Sequence, residues 1–416
     1  MPSDPAVAPV AASRPLPLAE NRDFRVLLTS QGVSAIGDAV SFTALPLLVL
    51  ALTGSGFAMG VVGALQTLPI LVLGMVAGAI ADRSDQKRMM FLADLGRAGL
   101  TGLIPLSAFL GGPTMVVILL VAAPMSILRS FFLAGYTAAI PALVGREQVG
   151  PANSYFEAIY SMGFIVGPAI AGLLAATIGP GPTLAIDAIS FAVSGLGLFF
   201  VRRPLRGAVP QHRQRLLGEI REGIDFIAAD PTLRATIVFW GATSVLTASL
   251  VTALAVHVTR DLGDPSWVLG LILAAYGVGT VVGALLTARL GGGRVAGILL
   301  SGNLMLGAAL VVMAVTTEVT IQVAVAIVSG VAQSLVLVTY MTLRTAYSPD
   351  ALLGRIGSTA RTISLGLQPV GLLIGGALVD ATGGSTTIAM MGIAVVAVSL
   401  AFAPIAGFRR ATLAPR

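Results

Sequence analysis

Ionisable side chains placed inside long apolar stretches are the first residues of this sequence that could do chemistry. Six of them lie in the first half of the chain: Asp38, Asp94, Arg97, Arg129, Glu157 and Asp187. A charged group is costly in a lipid bilayer, so each one is a candidate for function. The charge chemistry is expected in the first half, because the apolar stretches of the second half hold no acid until the end of the eleventh.

Asp38 is the candidate for moving a proton. It lies near the middle of the apolar stretch 26–52, roughly 18 Å from either end at about 1.5 Å per residue. Apolar surroundings disfavour the charged form of a carboxyl group, so such a group can exchange a proton near neutral pH. We therefore expect Asp38 to be the proton-coupling acid. A fixed ion pair with Arg129, a polar contact between helices, and direct binding of a cationic substrate are the alternatives.

The composition is that of a membrane protein. The 416 residues are 56% hydrophobic and only 11% charged, and the mean hydropathy is +0.93. A soluble domain carries about 25% charged residues, and about 18 apolar residues suffice to cross a bilayer. The lack of cysteine excludes disulfides and thiolate sites, and His212 and His257 lack the spacing of metal ligands. No metal and no cofactor are expected.

The apolar runs predict an all-α polytopic protein with twelve transmembrane helices in two pseudo-symmetric six-helix bundles. The bundles are expected at 26–201 and 235–408, joined by a cytoplasmic linker, 202–234, that contains an amphipathic helix. Residues 1–25 and 409–416 are expected to be cytosolic tails, the first of them disordered. The predicted spans are 26–52, 57–81, 89–111, 114–138, 155–178, 182–201, 235–258, 266–290, 295–316, 319–343, 360–380 and 385–408.

The loops predict the orientation. One set of loops is short and nearly free of cations, whereas the other set and both termini hold most of the arginines and lysines. Basic loops stay in the cytoplasm, so both termini are expected inside. The same rule explains the net charge of +6 without nucleic acid as a partner.

This orientation places four of the six ionisable residues in the inner third of spans three, four and five. Asp94 and Arg97 are spaced i,i+3 and share a helix face. We expect Asp94, Arg97, Arg129 and Glu157 to form an inner charge network that holds these helix ends together. A proton relay to the cytosol is the alternative. Asp187, at the start of the sixth span, is expected near the outer face in a structural role.

Two weak internal repeats indicate that the halves share one design. The stretch GAIADR at 78–83 is similar to GALLTAR at 283–289, and GPAIAGLL at 167–174 is similar to QPVGLLIGGAL at 368–378. In both cases the copies lie about half the chain apart. Repeated halves with a site between them are the usual plan of secondary transporters.

The residues after the second span resemble the loop signature of the major facilitator superfamily. We call Gly78, Asp82, Arg83, Lys87 and Arg88 the loop motif. The sequence departs from that signature by having an aspartate at position 85, where the family usually has glycine. The resemblance implies a cytoplasmic gate, in which the acid of the motif meets the N-terminus of the eleventh helix and favours an outward-facing state.

A second resemblance lies in the fifth span. Gly163, Gly167, Pro168 and Gly172, called here the fifth-helix motif, resemble the signature of the antiporters. Small residues allow close helix contact, and the resemblance implies that this helix seals the interface between halves. Other segments, such as IPALVGREQVGPANSY at 140–155, resemble segments of the bacterial drug exporters, the branch that contains macrolide and siderophore efflux proteins.

The second half is expected to contribute apolar and uncharged polar side chains to a substrate cavity. The candidate contacts are Phe239, Trp240, Tyr276, Gln333 and Gln368.

The resemblance implies a proton-coupled antiporter in the bacterial cytoplasmic membrane that exports hydrophobic or amphipathic small molecules by alternating access. Proton-coupled uptake of a nutrient and a lipid-moving membrane protein are the alternatives. An enzyme is not expected, and no phosphate-binding loop for ATP is present in the sequence. The expected partners are the substrate, protons and the lipid bilayer, with the protein acting as a monomer.

Overall fold

The computed structural model describes residues 17–81, 83–112, 114–203, 205, 216–290, 295–349, 352–409 and 411–412, and the regular structure of these residues is helical. The helices of the first half are α1 Arg22–Thr53, α2 Gly56–Ala81, α3 Gln86–Phe109, α4 Thr114–Val144, α5 Val149–Thr177, α6 Pro180–Thr183 and α7 Ala185–Phe200. The linker contains α8 Leu216–Ala229. The second half contains α9 Pro231–Leu246, α10 Leu250–Val256, α11 Ser266–Arg289, α12 Val295–Val315, α13 Val319–Tyr347, α14 Leu353–Leu365, α15 Gln368–Thr382, α16 Gly384–Phe402 and α17 Ala406–Arg409.

The helices show a protein that passes through a membrane many times. Among the described residues, 11 helical segments are long and apolar enough to cross a bilayer. The helix α2 has 26 residues and contains a further apolar segment, Gly56–Pro69.

Several helix ends lie beyond the predicted limits. The helix α4 continues to Val144 and α5 begins at Val149, where the sequence predicted an end at 138 and a start at 155. The helix α9 begins at Pro231 instead of 235, because Asp230 caps it by accepting from the backbone N–H groups of Thr232 and Leu233. Helices thus extend past their apolar parts wherever capping and polar contacts support the next turn. The last long helix is shorter than predicted and ends at Phe402.

Two spans predicted as single helices are broken. The seventh span consists of α9, α10 and a π-helical turn, His257–Asp261. The eleventh consists of α14 and α15, separated at Gly366 and Leu367. Pro369 lies in the first turn of α15, where a proline fits, but within a continuous helix it would remove a backbone hydrogen bond.

The amphipathic helix predicted in the linker is present as α8 and packs on α14 and α9. Ile227 is buried in an apolar cluster with residues of α9 and α13. An ion pair between Arg355 and Glu222 adds a polar contact between α14 and α8. The linker helix is therefore attached to the second half of the chain.

The helix contacts fall into two groups that meet along two seams. In the first half α1 packs on α5 and α7, and α3 packs on α4 and α7. In the second half α11 packs on α13, and α12 packs on α13 and α16. The extensive contacts between the two groups are those of α5 with α11 and of α2 with α15.

Both seams lie towards one end of the molecule. We call the end that carries Gly54 and Arg260 the sealed end, and the end that carries Arg83 the basic end. Near the sealed end, a Cβ on Gly56 would lie 2.9 Å from the carbonyl oxygen of Gly376, so the two backbones are in close contact. The close backbone contacts between the groups, such as Gly60 with Leu372, Gly172 with Gly270 and Gly277 with Phe164, lie in the halves of α2, α5 and α11 nearer the sealed end. The space between the helix groups thus opens towards the basic end.

Candidate functional site: a charged cavity between the helix groups

A cavity of about 230 Å³ lies between the two helix groups. The helices of the first half supply its charged side chains, and the second half supplies mostly apolar ones. From the first half the lining residues are Asp38, Ser41, Phe42, Leu45, Pro46, Val49, Met59, Val62, Gly63, Gln66, Arg97, Met125, Ser126, Arg129, Phe164 and Asp187. From the second half they are Ala248, Val251, Thr252 and Leu372.

Asp38 is held by an ion pair across two helices. Its Oδ1 atom lies 2.8 Å from the Nη2 atom of Arg97, and its side chain is 23% exposed. The partner is on α3, whereas the alternative raised from the sequence was Arg129 on α4. Charge-assisted hydrogen bonds of this length are the strong ones, so the carboxylate of Asp38 is well positioned in this conformation.

The guanidinium group of Arg97 is fixed on three sides. Its Nη1 atom lies 3.6 Å from Oδ1 of Asp94, which is fully buried one turn earlier on α3. Its Cζ atom lies 3.8 Å from the centre of the Phe191 ring on α7. A cation over an aromatic face is attracted to the ring, and here it also packs α3 against α7. Arg97 thus joins α1, α3 and α7.

Arg129 faces the same cavity from α4. Its side chain is exposed there and is within hydrogen-bonding reach of the Tyr160 hydroxyl group on α5. Asp38 is the carboxylate that acts on it most strongly, although the two do not form an ion pair within 4.0 Å. The inner charge network predicted from the sequence therefore has Asp94, Arg97 and Arg129 around Asp38.

Within the described part of the chain, Glu157 forms no ion pair with the other members of this network, and its membership stays a prediction. Its side chain is exposed on α5. The spacing along α5 explains the missing ion pair with Arg129. Tyr160 and Phe164, at i+3 and i+7, continue the cavity face of the helix, and the hydroxyl group of Tyr160 occupies the place beside Arg129.

Asp187 is a cavity residue that the sequence did not identify. It was expected near the outer face, but Ser41 Oγ donates a 2.5 Å hydrogen bond to its Oδ2 atom, and Ser41 lies mid-way along α1. The residue is buried, with 2% of its surface exposed. The short turn α6 precedes α7, so the residue lies deeper than a count from the start of the apolar run suggests. The available signal in the sequence was that Asp38 and Ser41 are spaced i,i+3 on one helix, so that Ser41 shares the helix face of Asp38.

Among the described residues of the loop motif, Lys87 forms contacts within the first half of the chain. Lys87 Nζ donates hydrogen bonds to the carbonyl oxygens of Phe199 and Val201 at the end of α7. Arg83 and Arg88 are exposed, and a Cβ on Gly78 would meet no neighbour. Asp82 lies outside the described residues. The substituted Asp85 caps α3 by accepting from the backbone N–H of Arg88.

The fifth-helix motif has the close helix contacts that its small residues predicted. A Cβ on Gly163 would lie 2.9 Å from the backbone of Ala35 on α1. A Cβ on Gly172 would lie 2.9 Å from the Cα atom of Gly270 on α11, near the sealed end. Gly167 packs on α1 and Pro168 on α11 in the same manner. The motif therefore joins α5 to both helix groups.

The five contacts predicted in the second half do not line this cavity. Phe239 is fully buried among Phe402 and Phe408, and Trp240 stacks on Tyr340 at 5.6 Å between ring centres. The remaining three, Tyr276, Gln333 and Gln368, are half-buried elsewhere. Apolar helices bury their aromatic residues against each other, so the presence of an aromatic side chain does not reveal which helix face meets the cavity.

A contact at the sealed end escaped the sequence analysis. The carboxylate of Asp380, on α15, accepts hydrogen bonds from Ser55 Oγ at 2.6 Å and from the backbone N–H groups of Gly56 and Phe57. These groups form the N-terminus of α2, which favours a negative charge. In addition, Arg260 Nη1 donates to the carbonyl oxygen of Gly54. Both contacts join the two helix groups.

Comparison with known proteins identifies the family. The family model described as transmembrane secretion effector matches residues 12–410. The multidrug efflux pump Tap of Mycobacterium tuberculosis is 30% identical over 402 residues, which cover 94% of this chain and 95% of Tap. Macrolide efflux protein A of Streptococcus pyogenes is 27% identical over 215 residues, or 51% of this chain and 53% of that protein.

The solved structure of the nucleoside transporter NupG superposes with a TM-score of 0.73 at 14% identity and covers 92% of this chain and 98% of that one. At this identity the likeness concerns the fold alone. The family match covers nearly the whole chain. It agrees with the loop and fifth-helix motifs and with the charged cavity between two helix groups. The chain belongs to the transmembrane secretion effector family of the major facilitator superfamily.

Proposed function

We propose that this protein exports hydrophobic or amphipathic small molecules in exchange for protons by alternating access. The observation that carries the proposal is the cavity between the helix groups, which is closed at the sealed end, open towards the basic end, and lined by the ion pair of Asp38 with Arg97. Relatives of the chain are named multidrug and macrolide efflux pumps, which supports the direction of transport.

The architecture of this proposal has twelve spans, with α2 as the twelfth beside the 11 segments described above. The two six-helix bundles, 26–201 and 235–408, move against each other around the cavity. The basic end faces the cytoplasm because its loops carry the cations, and the membrane is the cytoplasmic membrane of the cell. The conformation described is then the one that receives substrate from the cytoplasm, with the protein acting as a monomer.

Asp38 is the proton-coupling acid in this scheme. Its carboxylate pairs with Arg97 in the conformation described, so protonation at another stage of the cycle would release the arginine. Breaking one partner of a buried ion pair leaves an uncompensated charge, which is a large cost that favours movement of the helices. The apolar part of the cavity, with Met59, Met125 and Phe164, fits a lipophilic substrate.

Transport by purified protein in liposomes tests the proposal, with erythromycin and ethidium as the two probes. With an imposed pH gradient, the wild type should accumulate at least one probe, and dissipation of the gradient should abolish accumulation. The variant Asp38→Asn should lose the dependence on the gradient. Asp225→Asn, on the exposed face of α8, is the matched control. If neither probe responds to the gradient, the antiporter proposal fails, and if Asp38→Asn responds as the wild type does, the coupling acid lies elsewhere.

A further inference from the structure

Five charged groups meet in and around the cavity, and their charges do not balance. The carboxyl groups are those of Asp38, Asp94 and Asp187, and the guanidinium groups are those of Arg97 and Arg129. With all five ionised, the cluster carries one excess negative charge. Ions inside a membrane protein are stable only when paired or solvated, so the excess carboxyl group needs a proton or another cation.

The ion pairs show which carboxyl group is in excess. Arg97 contacts both Asp38, at 2.8 Å, and Asp94, at 3.6 Å. Within the described part of the chain, no lysine, arginine or histidine nitrogen lies within 4.0 Å of the Asp187 carboxylate. Arg97 and Arg129 act on that carboxylate only from beyond this distance. Asp187 is thus the carboxyl group of the cluster without an ion-pair partner.

The hydrogen bonds of Asp187 also suit a neutral acid. Ser41 is its close partner, with 2.5 Å between Ser41 Oγ and Oδ2. The Ser190 hydroxyl group donates to the backbone carbonyl of Asp187 at 2.8 Å and lies 3.4 Å from the carboxyl group. One close hydroxyl group is little solvation for a buried carboxylate, which usually accepts two or three hydrogen bonds. A protonated carboxyl group can instead donate to Ser41 Oγ.

Access distinguishes Asp187 from Asp94. The side chain of Asp94 is fully enclosed and does not contribute to the cavity wall, so a proton there would have no path to the solvent in this conformation. Asp187 is at the cavity wall, and the cavity opens towards the basic end. We propose that Asp187 holds the exchangeable proton in this conformation, while Asp38 is kept ionised by Arg97.

This assignment rests on the proposed function for its role in transport, and it gives that function a second acid. The proton of Asp187 leaves through the open end to water, and the carboxylate that remains adds negative charge to the cavity. A cationic group of the substrate then supplies the balancing charge. The charged groups that face Asp187 are Asp38 from α1, Arg97 from α3 and Arg129 from α4.

Infrared spectroscopy tests the assignment without any substrate. The probe is the carbonyl stretching band of a protonated carboxylic acid in the purified protein, in lipid nanodiscs at neutral pH. The wild type should show the band, and the band should shift in heavy water because the proton exchanges through the cavity. Asp187→Asn should abolish it, Asp187→Glu should retain it at a changed position, and the surface control Asp225→Asn should leave it unchanged.

Several results would overturn the assignment. They are a wild type without the band, a band that persists in Asp187→Asn, and a band whose position Asp187→Glu does not change. The wild-type spectrum and the Asp187→Glu variant decide the matter even if the asparagine variant does not fold. In liposomes, Asp187→Asn should lose about tenfold or more of gradient-driven accumulation and retain exchange of labelled for unlabelled probe. If the wild type ignores the gradient but the band behaves as expected, the proposed function fails and the protonation of Asp187 stands.

Discussion

The contact between Asp380 and the N-terminus of α2 should control how long the sealed end stays closed. The carboxylate accepts from Ser55 Oγ and from the backbone N–H groups of Gly56 and Phe57, and Ser55 Oγ itself accepts from the N–H of Ala58. Together these acceptors complete the cap of α2. Because Asp380 belongs to the other helix group, its part of the cap exists only while the end is closed. The variant Asp380→Ala removes it without touching the open state.

The size of the effect follows from the cost of a lost helix cap. Replacing a capping side chain by alanine costs about 0.5–2 kcal/mol. A difference of 1 to 2 kcal/mol changes an equilibrium by a factor of about 5 to 30. The whole cost falls on the closed form, so the ratio of open to closed sealed ends should rise by that factor. Glu318→Gln is the matched control, since this exposed acid lies at the same end and its side chain forms no cap.

Pulsed electron resonance between two spin labels measures this ratio. The chain has no cysteine, so labels can be placed with Phe109→Cys and Val315→Cys alone. Both side chains are strongly exposed at the sealed end, one in each helix group. In Asp380→Ala the population at the longer distance should grow, whereas Glu318→Gln should match the parent. An unchanged distribution in Asp380→Ala, or an equal shift in the control, would refute the reasoning.

Three further variants test other contacts. Gly172→Leu should lower the melting temperature in detergent, because a Cβ at this position would already lie 2.9 Å from the Gly270 backbone. Such overpacking costs about 1–3 kcal/mol. Gly150→Leu is the control and should leave the melting temperature unchanged, since a Cβ there meets no neighbour. Arg97→Met should destabilise the folded protein by about 3–5 kcal/mol, because it leaves two carboxylates unpaired. Adding Asp94→Asn should recover part of this loss. A double variant that is no more stable than the single one contradicts the pairing. Lys87→Met should remove about 1 kcal/mol of support from the last turn of α7, seen as faster amide exchange there, and unchanged exchange would count against it.

The sequence predicted the fold well because the bilayer imposes a length and a polarity on every span. Eleven of the twelve predicted spans coincide with helical segments that meet both criteria. The errors are at the ends, where capping by Asp230 and the turn at 145–148 decide the boundary, and at the breaks near Thr247 and Gly366. These features depend on single side chains and on packing, which the mean hydropathy of a segment does not contain.

The site was predicted in part for a related reason. A charge in an apolar stretch is recognisable from its neighbours along the chain, and Asp38, Asp94, Arg97 and Arg129 were found in this way. The partner of Asp38 was not recognisable, because helical periodicity shows which residues share a face of one helix and does not show which helices adjoin. The packing of α7 on both α1 and α3 brought Arg97 to Asp38.

The sequence by itself determined that the chain crosses a membrane many times, that its halves resemble each other, and that its ionisable residues gather in the first half. Hydropathy and the cost of buried charge act locally, so these conclusions need no coordinates. Only the tertiary structure decided that Asp187 lies beside Ser41 at the cavity wall, that the side chain of Glu157 is exposed, and that Asp380 caps a helix of the opposite half. The contacts of Asp187 and Asp380 join residues more than a hundred positions apart, and the depth, tilt and pairing of the helices create such contacts.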